Sequence, residues 1–241
     1  MEEILQIREK LNSLGDKKQA ETIKKYLKSP YEFYGIKVPQ LRSVAKQYKN
    51  LSLYDTFNLF DELWNSKNHE EMSLALFLLE NHKKNYNLEM WKFLKPRLEK
   101  AKTWDHIDQL SSHTVGEILS QNFQALYPEM KELSNARNPW MRRLSIVSTY
   151  PLIKLNKIEP TLKFAEKLVY DSDVYVQKGA GWMIREAGKR DRLSVREFIL
   201  MHKKMKRAAL SYSTEKMTEL RIIIKREEKE NKLKIKPTVE K

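Results

Sequence analysis

Apolar residues recur at three- and four-residue intervals along nearly the whole chain, the spacing of one helix face. Ile4, Leu5, Ile7 and Leu11 mark a first helix over about 2–14, ended by Gly15, and 17–27 reads as a second. The period then breaks at Ser-Pro-Tyr-Glu-Phe-Tyr-Gly-Ile-Lys-Val-Pro (29–39), an aromatic loop bracketed by prolines. Pro39 is expected to open the next helix at its first position, where its missing N–H costs least. Beyond it the pattern predicts helices in pairs: 53–65 with 70–81, 88–100 with 104–119, 127–134 with 139–153, and 161–170 with 174–187. A last pair is expected over 194–204 and 207–216. There is no sustained period-two stretch and no Asn-Gly hairpin turn, so no strand competes.

The second members of these pairs mix small and aliphatic residues, as in Glu-Met-Ser-Leu-Ala-Leu-Phe-Leu-Leu and Val-Gln-Lys-Gly-Ala-Gly-Trp-Met-Ile. Inner helices of a solenoid have this composition. Arg143 lies 39 residues after Trp104, and Trp182 lies 39 after Arg143. A repeat of that length predicts stacked helical hairpins with equivalent positions lining one surface. The fold class expected is all-α, a right-handed α-solenoid of antiparallel helix pairs with a basic concave face. One domain is expected over 1–225. The Lys/Glu-rich remainder, 226–241, is expected to be a frayed, charged extension.

Charge narrows the partners. The 241 residues carry 46 Lys and Arg against 32 Asp and Glu, a net charge of +14, which favours a polyanion. With no Cys there is no disulfide, no thiolate metal site and no Cys nucleophile, which fits a reducing cytosol. The acidic start, Met1-Glu2-Glu3, lacks a secretory signal, and the longest apolar run, 74–79, is too short to span a bilayer. A cytoplasmic monomer with no membrane partner is the expectation.

Candidate chemistry gathers at four residues. Trp104 and Asp108 share a helix face at i, i+4, with an indole one turn from a carboxylate. Asp105 is read as a structural rival, in the first turn after an N-capping Thr103. Arg142 and Arg143 point about 100° apart on a helix, so one of them at most can face a given ligand. Trp182 follows Gly179-Ala180-Gly181, bare backbone that suits close approach of a helix or of DNA. Lys24, Lys25 and Lys28 with Tyr26, Tyr31, Phe33 and Tyr34 read either as a phosphate-tracking surface or as an ordinary amphipathic face. The five histidines show no metal-binding pair at close spacing, and no P-loop, dinucleotide fingerprint or nucleophile elbow is present.

Four stretches in order carry a resemblance: Tyr-Gly-Ile-Lys-Val-Pro-Gln-Leu-Arg (34–42), Thr-Trp-Asp-His-Ile-Asp (103–108), Trp-Met-Arg-Arg (140–143) and Gly-Trp-Met-Ile-Arg-Glu (181–186). From about Tyr26 to Lys216 the chain resembles the AlkD-type DNA alkylation-repair glycosylases, which are built from HEAT-like repeats. The resemblance implies catalytic roles for Asp108, Trp104 and Trp182, and DNA contacts from Arg143, Tyr26 and, in a stretch that varies within the family, Lys37. It implies hydrolysis of the N-glycosidic bond of N3- or N7-alkylated purines in duplex DNA, with no base-flipping pocket, no metal and no organic cofactor. Two other readings remain open: a non-catalytic HEAT-repeat module that binds damaged or branched DNA, and a helical scaffold for acidic proteins. Formation of abasic sites on methylated duplex DNA separates them.

Overall fold

The computed structural model describes residues 2–234, with side chains through Glu227. Among them there is no strand; an isolated parallel bridge joins Glu32 to Asn68. The architecture is all-α, as the hydrophobic period predicts, and packing separates two compact units, residues 1–124 and 125–241. Within the described residues no helix is long and apolar enough to cross a membrane.

The first unit contains α1 (Glu2–Leu14), α2 (Lys17–Leu27), α3 (Val38–Gln47), α4 (Leu53–Trp64), α5 (His69–Glu80), α6 (Leu88–Leu94), α7 (Trp104–Leu110) and α8 (Gly116–Gln121). Its centre is α5, which packs against α3, α4 and α7. Every residue of α5 from His69 to Leu79 is buried, so the helix is enclosed on all sides instead of presenting one apolar stripe. Asn68 caps it by accepting the Glu70 and Glu71 backbone N–H groups at 3.0 and 3.2 Å. The loop before α3 is fastened to this helix start. The Glu32 N–H donates to the Lys67 carbonyl at 3.0 Å, and the His69 N–H donates to the Glu32 carbonyl at 2.8 Å.

The expected helix over 88–100 stops at Leu94 and tightens into a 3₁₀ segment, Lys95–Lys100. Pro96 explains the change, because it has no N–H for the α ladder. The expected 104–119 helix forms as α7 and α8 joined by a π turn, Ser111–Val115. Ser111 and Ser112 hydroxyls donate back to the Ile107 and Asp108 carbonyls, both at 2.6 Å, where this wider turn loosens the ladder. Pro39 lies second in α3, one residue later than expected.

Helix α9 (Phe123–Leu133) begins at the boundary of the two units. The second unit holds α10 (Pro139–Val147), α11 (Tyr150–Lys154), α12 (Glu159–Leu168), α13 (Val174–Gly188), α14 (Arg192–Met201), α15 (Arg207–Ser213) and α16 (Thr218–Lys234). A single helix was expected over 139–153; α10 and α11 divide it just before Pro151, which sits in the first turn of α11. Helix α13 is the hub, packed on α10, α12, α14 and α15. A Cβ on Gly181 would lie 2.5 Å from the Ala209 carbonyl oxygen and 2.7 Å from the Tyr212 Cβ. The glycine therefore admits α15 to the α13 backbone. Helix α16 continues to Lys234, into the stretch expected to fray. Leu220 and Ile224 bury its inner face, and Glu227 pairs with Lys203 at 2.5 Å. The remainder of that extension, 235–241, lies outside the described residues.

Candidate active site and nucleic-acid interface

In the first unit the side chains implied by the resemblance gather around the start of α7. Thr103 stands at the N-cap position in extended conformation, but its hydroxyl makes no capping bond to the helix, contrary to its reading as a side-chain cap. The turn is held from outside instead. Tyr31 is 6% exposed; its hydroxyl donates to the Lys100 carbonyl and accepts the Lys102 N–H at 2.9 Å. Trp104 follows, half-buried, with its ring edge-on to Tyr26 at 6.0 Å and 83°. Tyr26 is 71% exposed on α2, so this aromatic pair has one face in solvent. Asp108, one turn beyond Trp104, is also only partly buried.

Lys37 is exposed at the N-cap of α3, and the loop bearing it is held by a residue that the sequence reading missed. The buried Glu70 carboxylate accepts the backbone N–H groups of Tyr34, Gly35 and Ile36 at 3.1, 2.8 and 3.1 Å. Gly35 makes this wrap possible at φ +84°, a left-handed backbone that disfavours a side chain. The same wrap turns three of the loop's aromatics toward protein partners, away from a phosphate-tracking role. Tyr31 is buried, the Tyr34 hydroxyl donates to Glu71 at 2.8 Å, and Phe33 stacks on His69 at 4.5 Å. Of the four aromatics of 26–34, only Tyr26 remains exposed.

In the second unit, Asn138 caps α10 by accepting the Trp140 N–H at 3.0 Å, with Pro139 as the first helical residue. Arg142 forks onto Asp171 through Nε at 2.7 Å and Nη2 at 2.9 Å, and its Nη1 donates to the Ala136 and Arg137 carbonyls. It joins neighbouring helical segments. Arg143 is 5% exposed; its guanidinium lies along α13 and donates to the Tyr175 carbonyl. Gly179 leaves room for it, since a Cβ there would meet Arg143 Nη1 at 3.1 Å. Arg143 is thus a packed cation, not a surface-exposed one. Both glycines before Trp182 accommodate protein atoms, Gly179 those of Arg143 and Gly181 those of α15. Trp182 itself is half-buried and tilted against Tyr150 at 6.1 Å, and the Lys154 ammonium sits 4.6 Å over the Tyr150 ring. Tyr150 and Lys154 went unremarked in the sequence, though they lie on the helix that follows the paired arginines.

The family described as "DNA alkylation repair enzyme" matches residues 7–217. The chain belongs to this family. Its fold is also that of solved relatives. A predicted DNA alkylation repair enzyme from Enterococcus faecalis superposes with a TM-score of 0.72 at 18% identity, covering 84% of this chain and 96% of that one. AlkD2 from Streptococcus mutans gives 0.58 at 18% identity over 74% and 89% of the two chains. The smu.31 protein from Streptococcus mutans UA159 gives 0.56 at 19% identity over 73% and 91%. Comparison with curated proteins returns no match.

Below Trp104 lies a polar cluster of Asp105 and His106, from the stretch 103–108, with His69, which lies outside the matching stretches. His69 Nε2 donates to Asp105 Oδ2 at 2.8 Å, and the His69 and His106 rings stack at 4.2 Å. His106 Nε2 lies 3.1 Å from the His69 carbonyl and 2.9 Å from Ser73 Oγ. A carbonyl can only accept, so this contact places the ring proton on Nε2 and leaves Nδ1 bare. Burial pushes the His106 imidazole down to about 3, so it is neutral near pH 7. Burial alone would raise the Asp105 carboxyl, but the His69 hydrogen bond, the electrostatic pull of the two imidazoles and the Thr103 hydroxyl together outweigh it and hold Asp105 well below the usual carboxylate range. The structure therefore gives Asp105 a structural role, as expected, but through His69 and not through the helix dipole alone. His69 and His106 are 37 residues apart, near the repeat length, and each stands in the first turn of its helix. That spacing was the available signal; a search for close-spaced pairs passes over it.

Proposed function

We propose that the chain is a monofunctional DNA glycosylase that hydrolyses the N-glycosidic bond of N3- and N7-alkylated purines in duplex DNA. Membership of a DNA alkylation repair family makes DNA the partner and repair the setting. The observation that carries the finer reading is local to α7: the partly buried carboxylate of Asp108 stands one turn beyond the half-exposed Trp104–Tyr26 aromatic pair. An N3- or N7-alkylated purine already carries a positive charge and leaves readily. As the bond breaks, charge passes to the deoxyribose as an oxocarbenium ion, which a fixed carboxylate stabilises. An indole face adds cation–π attraction of about 0.5–2 kcal/mol. Asp108 is assigned the electrostatic role and the positioning of the attacking water. Trp104 and Trp182 are assigned the aromatic role, and Tyr26 and Lys37 contacts to the DNA; Arg143, read from sequence as a DNA contact, is packed against the Tyr175 carbonyl and is assigned a buried positive charge instead of a direct phosphate contact. The base needs no flipping pocket, because the charged lesion is labile where it stands.

The test is Asp108→Asn, which keeps the side chain's shape and removes its charge. The variant is expected to lose about 10²–10³-fold in excision rate, the scale of a deleted transition-state electrostatic contact, while binding DNA at least as tightly as the unaltered chain. Excision at an unaltered rate would remove Asp108 from the chemistry.

A further inference from the structure

The geometry points to a binding site for one divalent transition-metal ion, built from His69, Asp105 and His106 within the first unit. Each residue offers one ligand atom, and the three atoms lie within 4.8 Å of one another. A tetrahedral zinc site with bonds of 2.0–2.1 Å spaces its ligands by roughly 3.3 Å, so the widest pair closes by up to about 1.5 Å, the His69–Asp105 pair opens by about 0.5 Å, and the stacked imidazoles turn toward each other to aim their lone pairs at one ion. Two imidazoles and a carboxylate form a ligand set that suits zinc, cobalt or nickel better than magnesium or calcium.

Three further observations favour an ion over a self-sufficient hydrogen-bond network. His106 Nδ1 is buried with no hydrogen-bond partner, a lone-pair donor of the kind a metal takes; Asp105 Oδ1 is buried as well, with the rotatable Thr103 hydroxyl as its nearby donor. Leaving an atom such as His106 Nδ1 buried and unsatisfied is costly, about 1–3 kcal/mol. His106 Nε2 is already engaged with the His69 carbonyl, an outer contact of the kind that holds a histidine ligand, and Nδ1 is the nitrogen left for an ion. Finally, the cluster borders a cavity of about 350 Å³, also lined by Tyr26, Ser73, Phe77 and Trp104. The cavity leaves a fourth coordination position open to water. On binding, the ion takes the place of the proton between His69 Nε2 and Asp105 Oδ2, and that proton leaves to solvent. Set behind the first turn of α7, the ion would fasten the segment that presents Trp104.

The full chain, treated with chelator and dialysed, is titrated with Co²⁺ and followed by its visible absorption, then competed with Zn²⁺. One Co²⁺ per chain with a four- or five-coordinate spectrum, displaced by one Zn²⁺, is expected. Asp105→Asn and His106→Gln should each weaken uptake by at least tenfold at unchanged helical circular dichroism, and His202→Ala should leave it intact. Should either site variant fail to fold, anomalous diffraction from Zn²⁺-soaked crystals of the unaltered chain decides the matter. A peak among the three side chains supports the site. Absence of stoichiometric uptake, uptake unchanged in both folded variants, or anomalous peaks only elsewhere overturns it. The assay contains no DNA, so its failure leaves the glycosylase reading untouched.

Discussion

Asp105 and Asp108 stand three residues apart on one short helix and meet different surroundings. Asp105 is tied to His69 below the helix, while Asp108 lies one turn beyond the Trp104–Tyr26 pair. That Asp105 faces the protein was legible from its position in the helix; the histidine that holds it there was not. The neutral, enclosed His106 has a measurable consequence. Its proton affinity is depressed on folding, from an ordinary value of 6.5 to about 3. The unfolded chain therefore binds a proton below about pH 6.5 that the native chain refuses. The stability contributed by keeping His106 neutral is present above that pH and is lost as pH falls toward 3. Metal-free protein should lose up to about 1.4 kcal/mol per pH unit from this one group. Urea denaturation between pH 7 and 4.5 checks it: His106→Gln, if folded, should show a shallower decline than the unaltered chain. An identical decline would mean that His106 is protonated in the native state.

Among the helices, Gly181 carries the sharpest expectation. Gly181→Ala drives a methyl group against the Ala209 carbonyl, which is backbone and yields little. A loss of about 1–3 kcal/mol in unfolding free energy is expected, measurable by chemical denaturation. A neutral or stabilising Gly181→Ala would show that α13 and α15 are not in close contact. The position of nearly every helix was readable, because burial on one face imposes the 3.6-residue period. Both α1 and α2 end where the pattern places them. What the period could not give were interruptions inside helices. Pro96 divides one predicted helix, another divides just before Pro151, and a π turn after Asp108 divides a third without any proline. Nor could it show which way a loop's aromatics turn. Tyr31, Phe33 and Tyr34 face inward because the three backbone N–H bonds to Glu70 wrap the loop onto α5, a long-range contact with no local signature. Arg143 shows the same limit: its register beside Arg142 was readable, but its burial depends on Gly179, 36 residues away.

Over the whole molecule, the charge of +14 should dominate affinity for DNA. Each phosphate neutralised adds about 0.9 to the slope of log affinity against log salt, so binding to undamaged duplex should weaken steeply as salt rises. A slope no greater than one phosphate's worth would mean that the basic residues are not arrayed along the backbone. Binding alone, though, does not distinguish a repair glycosylase from a module that only holds damaged DNA. The direct measurement is to incubate the purified chain with N-methylated duplex DNA and chromatograph what leaves it. Free 7-methylguanine or 3-methyladenine should accumulate over time, matched by alkali-labile abasic sites in the duplex, with both abolished in Asp108→Asn. Tight, salt-sensitive binding with no released base at any time would contradict the account.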